Sequence, residues 1–450
     1  MNVLVPLPFV LPLLGAALTM ISRRRETWLR VLAPLTVTAA LAAAGGLMAA
    51  VARDGVIAVQ IGGWTAPLGI TLVADRLSAL LLVVSIGVLL AIMLHAVAEG
   101  AGGLGGHEPG VFYPAYLTLT AGVALIFLAG DLFNLFVAFE IMLASSYVLM
   151  TLTPTAERVQ AGMTYTVVSL MSSILFIAAI GLTYAATGSV NFADLSLRVA
   201  ELPEGTRTAL GLLFLVVFGI KGAIAPMHLW LPDSYPAALT AEAGDMPLIR
   251  VETLLFPRDQ LSWIMLVLAA ATMLIGTLGA LTHDDIHRIF SFILVGHIGY
   301  MLFGLGLFSV AGLTGAVLYL VHHIVVQGAL FLVSDLMQGR TGPANLPRPG
   351  AHPADGGAHG GDVAAPPRRP GTDVVVHRRA VLHPRHERER GAADLRLHRQ
   401  ARAVPGGARG GQVPRLRGHR GGGAGEPAHP HGDDADLDAR VLAAPPEGGR

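Results

Sequence analysis

Leu210–Trp230 reads LGLLFLVVFGIKGAIAPMHLW, and Lys221 near its middle is the only lysine in a chain of 450 residues. An apolar run of about 20 residues is long enough to cross a bilayer as a helix. A charge is hardest to bury near the middle of such a run, so an ionisable residue there is by default a functional candidate. Arginine stays protonated in any protein site, whereas a desolvated lysine can drop its pKa and exchange its proton. The bland alternative is a lysine that snorkels to the interface or pairs with a carboxylate, which suits the end of a span better than its middle. The stretch predicts a membrane helix that carries a proton-exchanging group.

Runs like 208–231 recur near 3–21, 29–52, 77–97, 112–129, 132–152, 161–187, 261–282, 289–308 and 312–336. Lipid tolerates only helices or closed barrels, so these runs predict an all-α, polytopic transmembrane helical bundle. Composition agrees, with 53% hydrophobic and 14% charged residues. A formal net charge of zero gives no support for a nucleic-acid partner. The absence of cysteine excludes disulfides, thiol chemistry and cysteine-held iron–sulfur clusters, and no cofactor or metal site is expected. The N-terminus lacks the basic region of a cleaved signal, so the first span is expected to stay as a helix.

Arg23, Arg24, Arg25 and Arg30 crowd the loop after the first span. By the positive-inside rule that loop is cytoplasmic and the N-terminus lies outside. Counting crossings onward to Thr282–Arg288 then demands one more span between Leu231 and Leu261. The segment LPDSYPAALTAEAGDMPLIRVETLLFPRDQ has no apolar run of that length, so one expected helix is missing near 236–250. A second break divides a membrane domain, 1–340, from a Gly/Pro/Arg/His tail, 341–450. From Leu346 to Arg450 the chain has no Ile, Phe, Tyr, Trp, Met, Ser, Asn or Lys. Such composition reads as low-complexity and disordered. Every residue type there except that of Thr372 can be written with a codon beginning in C or G, as when the wobble position of a GC-rich gene is read out of frame. Shifting Ala380–Gly407 by one base permits RFFIPAMNVSGAPPTSGFIGKLARFQA, which is membrane-like. The tail is therefore read as out of frame, and its histidines are not expected to bind a metal.

Glu140 lies in an apolar helix, within LFVAFEIML. Burial favours the neutral carboxyl and a nearby cation favours the carboxylate. A Glu/Lys couple in low dielectric can exist as an ion pair or as two neutral groups, and a third charge decides which. The alternative is a buried pair that only holds packing together. Pro226, five residues after Lys221, must disturb the helical hydrogen-bond ladder. His228 follows, either as a proton relay near neutral pH or as an interfacial histidine beside Trp230. His322 and His323 point in different directions on a helix and make a poor chelating pair. His322 is the candidate relay.

Several ordered stretches carry a family resemblance: DLFNLFVAFEIML at 131–143, FGIKGAIAPMHLWLPDSY at 218–235, RVETLLFP at 250–257, DIHRIFSFILVGHIGYMLFG at 285–304 and HHIVVQGALFL at 322–332. Residues 1–345 resemble the D subunit of the multisubunit Mrp-type sodium/proton antiporters, relatives of the antiporter-like subunits of respiratory complex I. In the shifted frame, GAPPTSGFIGK of the tail resembles a late family motif. The resemblance implies an inverted-repeat architecture with a discontinuous helix at Lys221, and Glu140 and Lys221 as the proton-relay pair. It further implies a transporter subunit rather than an enzyme, in a bacterial inner membrane, with other membrane subunits as partners and protons and monovalent cations as cargo. Gln327 and His287 stand where many relatives carry lysine, and the lysine of the family's eighth helix is absent. Two competing readings are a proton-pumping subunit of an NADH-quinone oxidoreductase or related redox complex, and a non-functional truncated product.

Overall fold

A computed structural model of the chain describes residues 3–98, 109–152, 156–232, 238–256 and 261–341. All of these fall in one compact unit, Met1–Leu346. The tail read as out of frame lies outside the described residues. The helices are α1 (Leu7–Ile21), α2 (Glu26–Asp54), α3 (Arg76–Ala98), α4 (Pro109–Leu128), α5 (Leu132–Met150), α6 (Ala156–Thr187), α7 (Phe192–Arg198), α8 (Glu204–Lys221), α9 (Ala238–Leu255), α10 (Ser262–Leu281), α11 (Ile286–Gly306) and α12 (Val310–Thr341). One hairpin, β1 (Ile57–Gln60) with β2 (Thr71–Ala74), lies between α2 and α3 and pairs Ile57 with Ala74.

Eight of the described helices are long and apolar enough to cross a membrane. Each predicted run falls on a helix, although α1 is short for a span and α8 carries Glu204 and Arg207 near its start. Large apolar side chains lie open on the outer faces, among them Ile174 at 68%, Leu274 at 63% and Leu318 at 69% exposure. In water such surface would drive association. In lipid it is matched to its solvent, while the helices satisfy their own backbone groups. The chain is thus a multi-pass membrane bundle. The helix α4 sits deepest, packing on α1, α2, α3 and α5, with Tyr113, Leu117 and Ala124 fully buried.

Polar side chains fasten the helix ends. Asp131 caps α5 by accepting from the Asn134 amide at 2.6 Å, and its other oxygen accepts from the Thr71 amide at 3.2 Å. Asn191 caps α7 from the Ala193 amide and donates to Thr71 Oγ1 at 3.1 Å. Arg250 of α9 donates to Asp75 Oδ2 at 2.5 Å and to Ser78 Oγ at 2.9 Å. These bonds knit residues far apart in sequence around the β2 strand.

One expectation changes. A helix, α9, occupies the place where one was expected to be missing. Met246, Leu248, Val251 and Leu255 give it a buried face, so packing against α8 and α4 supplies what the sequence's missing apolar run does not. With Glu242, Asp245, Arg250 and Glu252 along it, α9 is not among the helices apolar enough to span. The run 208–231 is broken, as Pro226 predicts: α8 stops at Lys221.

The α10–α11 pair makes the most intimate helix contact, built on glycine. A Cβ on Gly276 would lie 2.2 Å from the Gly296 nitrogen and 2.5 Å from its Cα. Small residues let helices in lipid approach until backbones touch. Gly276→Ala should cost about 1–3 kcal/mol through overpacking, read as a lower thermal midpoint of the purified protein. Gly87→Ala, where a Cβ meets nothing within 4 Å, should leave the midpoint unchanged.

Candidate functional site

The helix α8 ends inside the bundle, and several of the groups freed by the break find partners. Gly222 is the C-cap and donates to Phe218 O at 2.7 Å, while Ala223 takes a left-handed φ of 53°. Ile224 N closes back on Gly219 O at 2.8 Å. The Ile220 carbonyl accepts from Trp230 Nε1 at 2.9 Å, and Ala225 N donates to Thr272 Oγ1 of α10 at 3.1 Å. Pro226 has no N–H to satisfy. A short 3₁₀ turn, Met227–Trp230, then resumes the chain. A broken helix survives at membrane depth only where its backbone groups are re-satisfied in this way.

Lys221 is the last residue of α8 and is 9% exposed. Its Nζ donates to Ser173 Oγ of α6 at 3.3 Å, and the Ser173 hydroxyl donates in turn to Glu140 Oε1 of α5 through a short hydrogen bond. Among the described residues no direct ion pair within 4 Å joins Glu140 to Lys221; a serine stands between them. The ammonium also lies 4.6 Å from the centroid of the Phe139 ring, a cation–π contact one residue from the carboxylate. Ser172, next to the bridge, donates to Val217 O at 3.0 Å and fixes α6 against α8.

On one side the site is walled by rings: Phe139, Phe176, Phe214 and Phe218 meet at centroid distances of 5.3–6.3 Å. On another side a cavity of about 20 Å³ of water-accessible space adjoins Lys221, lined by Phe139, Tyr165, Ser169 and Trp230. Room for one water takes roughly 10–15 Å³ on that measure. Tyr165 lies 5.4 Å from the Trp230 ring and shares a 2.9 Å hydrogen bond with Ser146.

The other sequence candidates sit elsewhere. His228, in the 3₁₀ turn, is buried with Phe292 at 6.5 Å. His322 lies on the exposed face of α12, touching Tyr319, while the adjacent His323 is fully buried. Among the described residues no hydrogen bond or ring contact ties His228 or His322 to the Glu140–Ser173–Lys221 group. Gln327 is buried and donates to Phe290 O at 3.3 Å, and His287 Nε2 is 3.2 Å from Ser334 Oγ. Among the described residues no group of three His, Asp or Glu can hold a metal. Ser173 was missed by sequence reasoning; its signal was a Ser-Ser pair inside an apolar span, where hydroxyls serve as interhelical hydrogen-bond donors.

Residues 129–346 match the family described as NADH:quinone oxidoreductase/Mrp antiporter, TM. The D subunit of the Na(+)/H(+) antiporter of Alkalihalophilus pseudofirmus is 36% identical over 78% of this chain and 73% of its own length. That of Bacillus subtilis is 35% identical over the same shares. The chain belongs to the D-subunit family of Mrp antiporters. A chain of the Mrp complex from Dietzia sp. DQ12-45-1b superposes with a TM-score of 0.69 at 31% identity, over 75% of this chain and 65% of that one. A chain of the archaeal membrane-bound sulfane sulfur reductase shares the fold, with a TM-score of 0.70 at 22% identity. These Mrp relatives are subunits of multisubunit membrane complexes, and this chain is a transporter subunit of the same kind.

Losing a hydrogen bond to a charged group costs about 1.5–3 kcal/mol. If the Ser173 bridge is made during proton transfer, Ser173→Ala should slow proton exchange by about 10- to 100-fold. Ser173→Thr keeps the hydroxyl and should retain most of the rate, as measured by pH-sensitive dye in vesicles holding the assembled complex.

Proposed function

We propose that the chain exchanges protons for Na⁺ or another monovalent cation as the D subunit of a hetero-oligomeric antiporter in a bacterial inner membrane, N-terminus outside. The single observation that carries the relay is the chain of bonds from Lys221 Nζ through Ser173 Oγ to Glu140 Oε1. Ser173 accepts from the ammonium and donates to the carboxylate, so two protons can shift in concert. One passes from Lys221 to Ser173 as the serine's own proton passes to Glu140. The serine ends unchanged, and an ion pair has become two neutral groups. In low dielectric these two states lie close enough for a neighbouring charge to choose between them.

A cation arriving near Glu140 favours the carboxylate and returns the proton to Lys221; its departure favours the neutral pair. The cavity beside Lys221 is where a water would take or supply the exchanged proton. The Phe139 cluster keeps bulk water from screening the switch. His228 and His322 are candidate relays beyond this group, with His228 the better buried of the two. Lys221→Ala should abolish sodium-driven proton flux while the complex still assembles. Lys221→Arg should fail as well, because a guanidinium holds its proton. Full flux in either variant would sink the mechanism.

The out-of-frame reading of the tail is likewise our inference. The family match stops at residue 346, where the composition changes. Resequencing the coding DNA should reveal an extra or missing base near codon 345; unaltered DNA would leave the tail as a genuine, divergent segment.

A further inference from the structure

The turn between α1 and α2 concentrates positive charge that nothing among the described residues answers. Its backbone is held tight: Ser22 N donates to Leu18 O at 3.0 Å, and Arg25 N donates to Ser22 O at 2.8 Å. The start of α4 packs on it, since a Cβ on Gly110 would lie 3.0 Å from Arg23 Cβ. Arg23, Arg24 and Arg25 are all exposed, and among the described residues none of them makes an ion pair. The next residue, Glu26, is already engaged by Arg30 at 2.5 Å. Three consecutive guanidiniums are therefore left without a counter-charge on a turn that packing holds in place.

Together with Ile21, Ser22 and Trp28 the three arginines line an open cavity of about 400 Å³. Sites for small ligands run to about 300–1,000 Å³. Ile21 and Trp28, 82% and 62% exposed, each end an apolar stripe at this cavity. Leu14, Leu18 and Ile21 stand exposed at helical spacing on α1, as do Trp28, Val31 and Leu35 on α2. The helix α2 is long and apolar enough to span and begins at Glu26, so the turn stands where hydrocarbon gives way to water. Tryptophan favours that boundary.

We propose that the Arg23–Arg25 turn binds an anionic phospholipid, its phosphate in the arginine cavity and its acyl chains along the exposed stripes of α1 and α2. Guanidinium forks match phosphate oxygens in bidentate fashion. Free phosphate would meet the arginines but leave both stripes uncovered. A zwitterionic lipid would cover the stripes but bring no net charge to the turn. Only an anionic amphiphile answers both halves of the surface. The site lies beyond cation exchange and does not depend on the Lys221 relay. A basic residue at a membrane surface favours anionic lipid about fivefold, so three together should favour it by roughly 100-fold.

The deciding experiment is photo-crosslinking of the assembled complex in phosphatidylcholine vesicles. A trace of phosphatidylglycerol with a diazirine in its acyl chain is compared with the matching phosphatidylcholine probe, and adducts are mapped by mass spectrometry. Adducts on residues 14–35 should be roughly 100-fold more abundant from the phosphatidylglycerol probe, and inorganic phosphate in the buffer should not reduce them. The arginines also bias the orientation of the first span, so they are replaced one at a time. Arg23→Gln, Arg24→Gln and Arg25→Gln should each lower the preference about fivefold. Arg24→Lys keeps the charge and should keep most of the preference. Equal labelling by the two probes, suppression by inorganic phosphate, or a preference untouched by all three glutamine variants would overturn the site. A turn free of adducts, as when another subunit covers it, would overturn it too.

Discussion

Stopping a helix inside lipid is the constraint around which this bundle is arranged. Every backbone N–H and C=O freed at membrane depth must find a partner within the protein. Between Gly222 and Trp230 the partners come from three directions, the preceding turn, the Trp230 indole and Thr272 of α10, and Pro226 removes one donor outright. With the break held by these bonds, Lys221 sits at a helix terminus inside the bundle with its side chain directed at α5 and α6. A continuous helix would keep the last carbonyls in the ladder and leave the lysine on an ordinary helical face.

The surroundings of that terminus combine opposite properties. Phenylalanine rings from α5, α6 and α8 meet edge to face beside the site, and Phe139 among them gives the ammonium an aromatic face. Serines at 172 and 173 supply two hydroxyls on adjacent residues of α6. One locks the helix to the Val217 carbonyl and the other spans the gap between a carboxylate and an amine. A direct salt bridge would favour one charge state strongly. A hydroxyl that both accepts and donates suits either state, as the proposed switch requires.

The polar bonds that tie β2 to α5 and α7, and α9 to Asp75 and Ser78, play a different part. Asp131 and Asn191 cap helices, and with Arg250 they join residues 60 to 175 positions apart. They hold the helix ends, whereas α10 and α11 touch through backbone at the glycine-lined contact.

Much of this was legible in the residues alone. The apolar runs gave the helices, because lipid thickness sets their length, and Pro226 beside a lone lysine marked where one of them breaks. Glu140 and Lys221 stood out because charge in an apolar run is costly. The chain could not show that a serine lies between them, because Ser173 is 33 residues from one and 48 from the other and is one hydroxyl among many. Nor could it separate His322 from His323, since the rotation of α12 about its axis depends on its neighbours. The helix α9 escaped the sequence reading because its stability comes from packing rather than from an apolar run. Sequence by itself determined which segments enter lipid and which groups cannot rest there uncompensated, because both follow from local transfer free energies. Only the tertiary structure decided which of those groups are joined by hydrogen bonds, because a hydrogen bond depends on tenths of an ångström between helices that the sequence does not order in space.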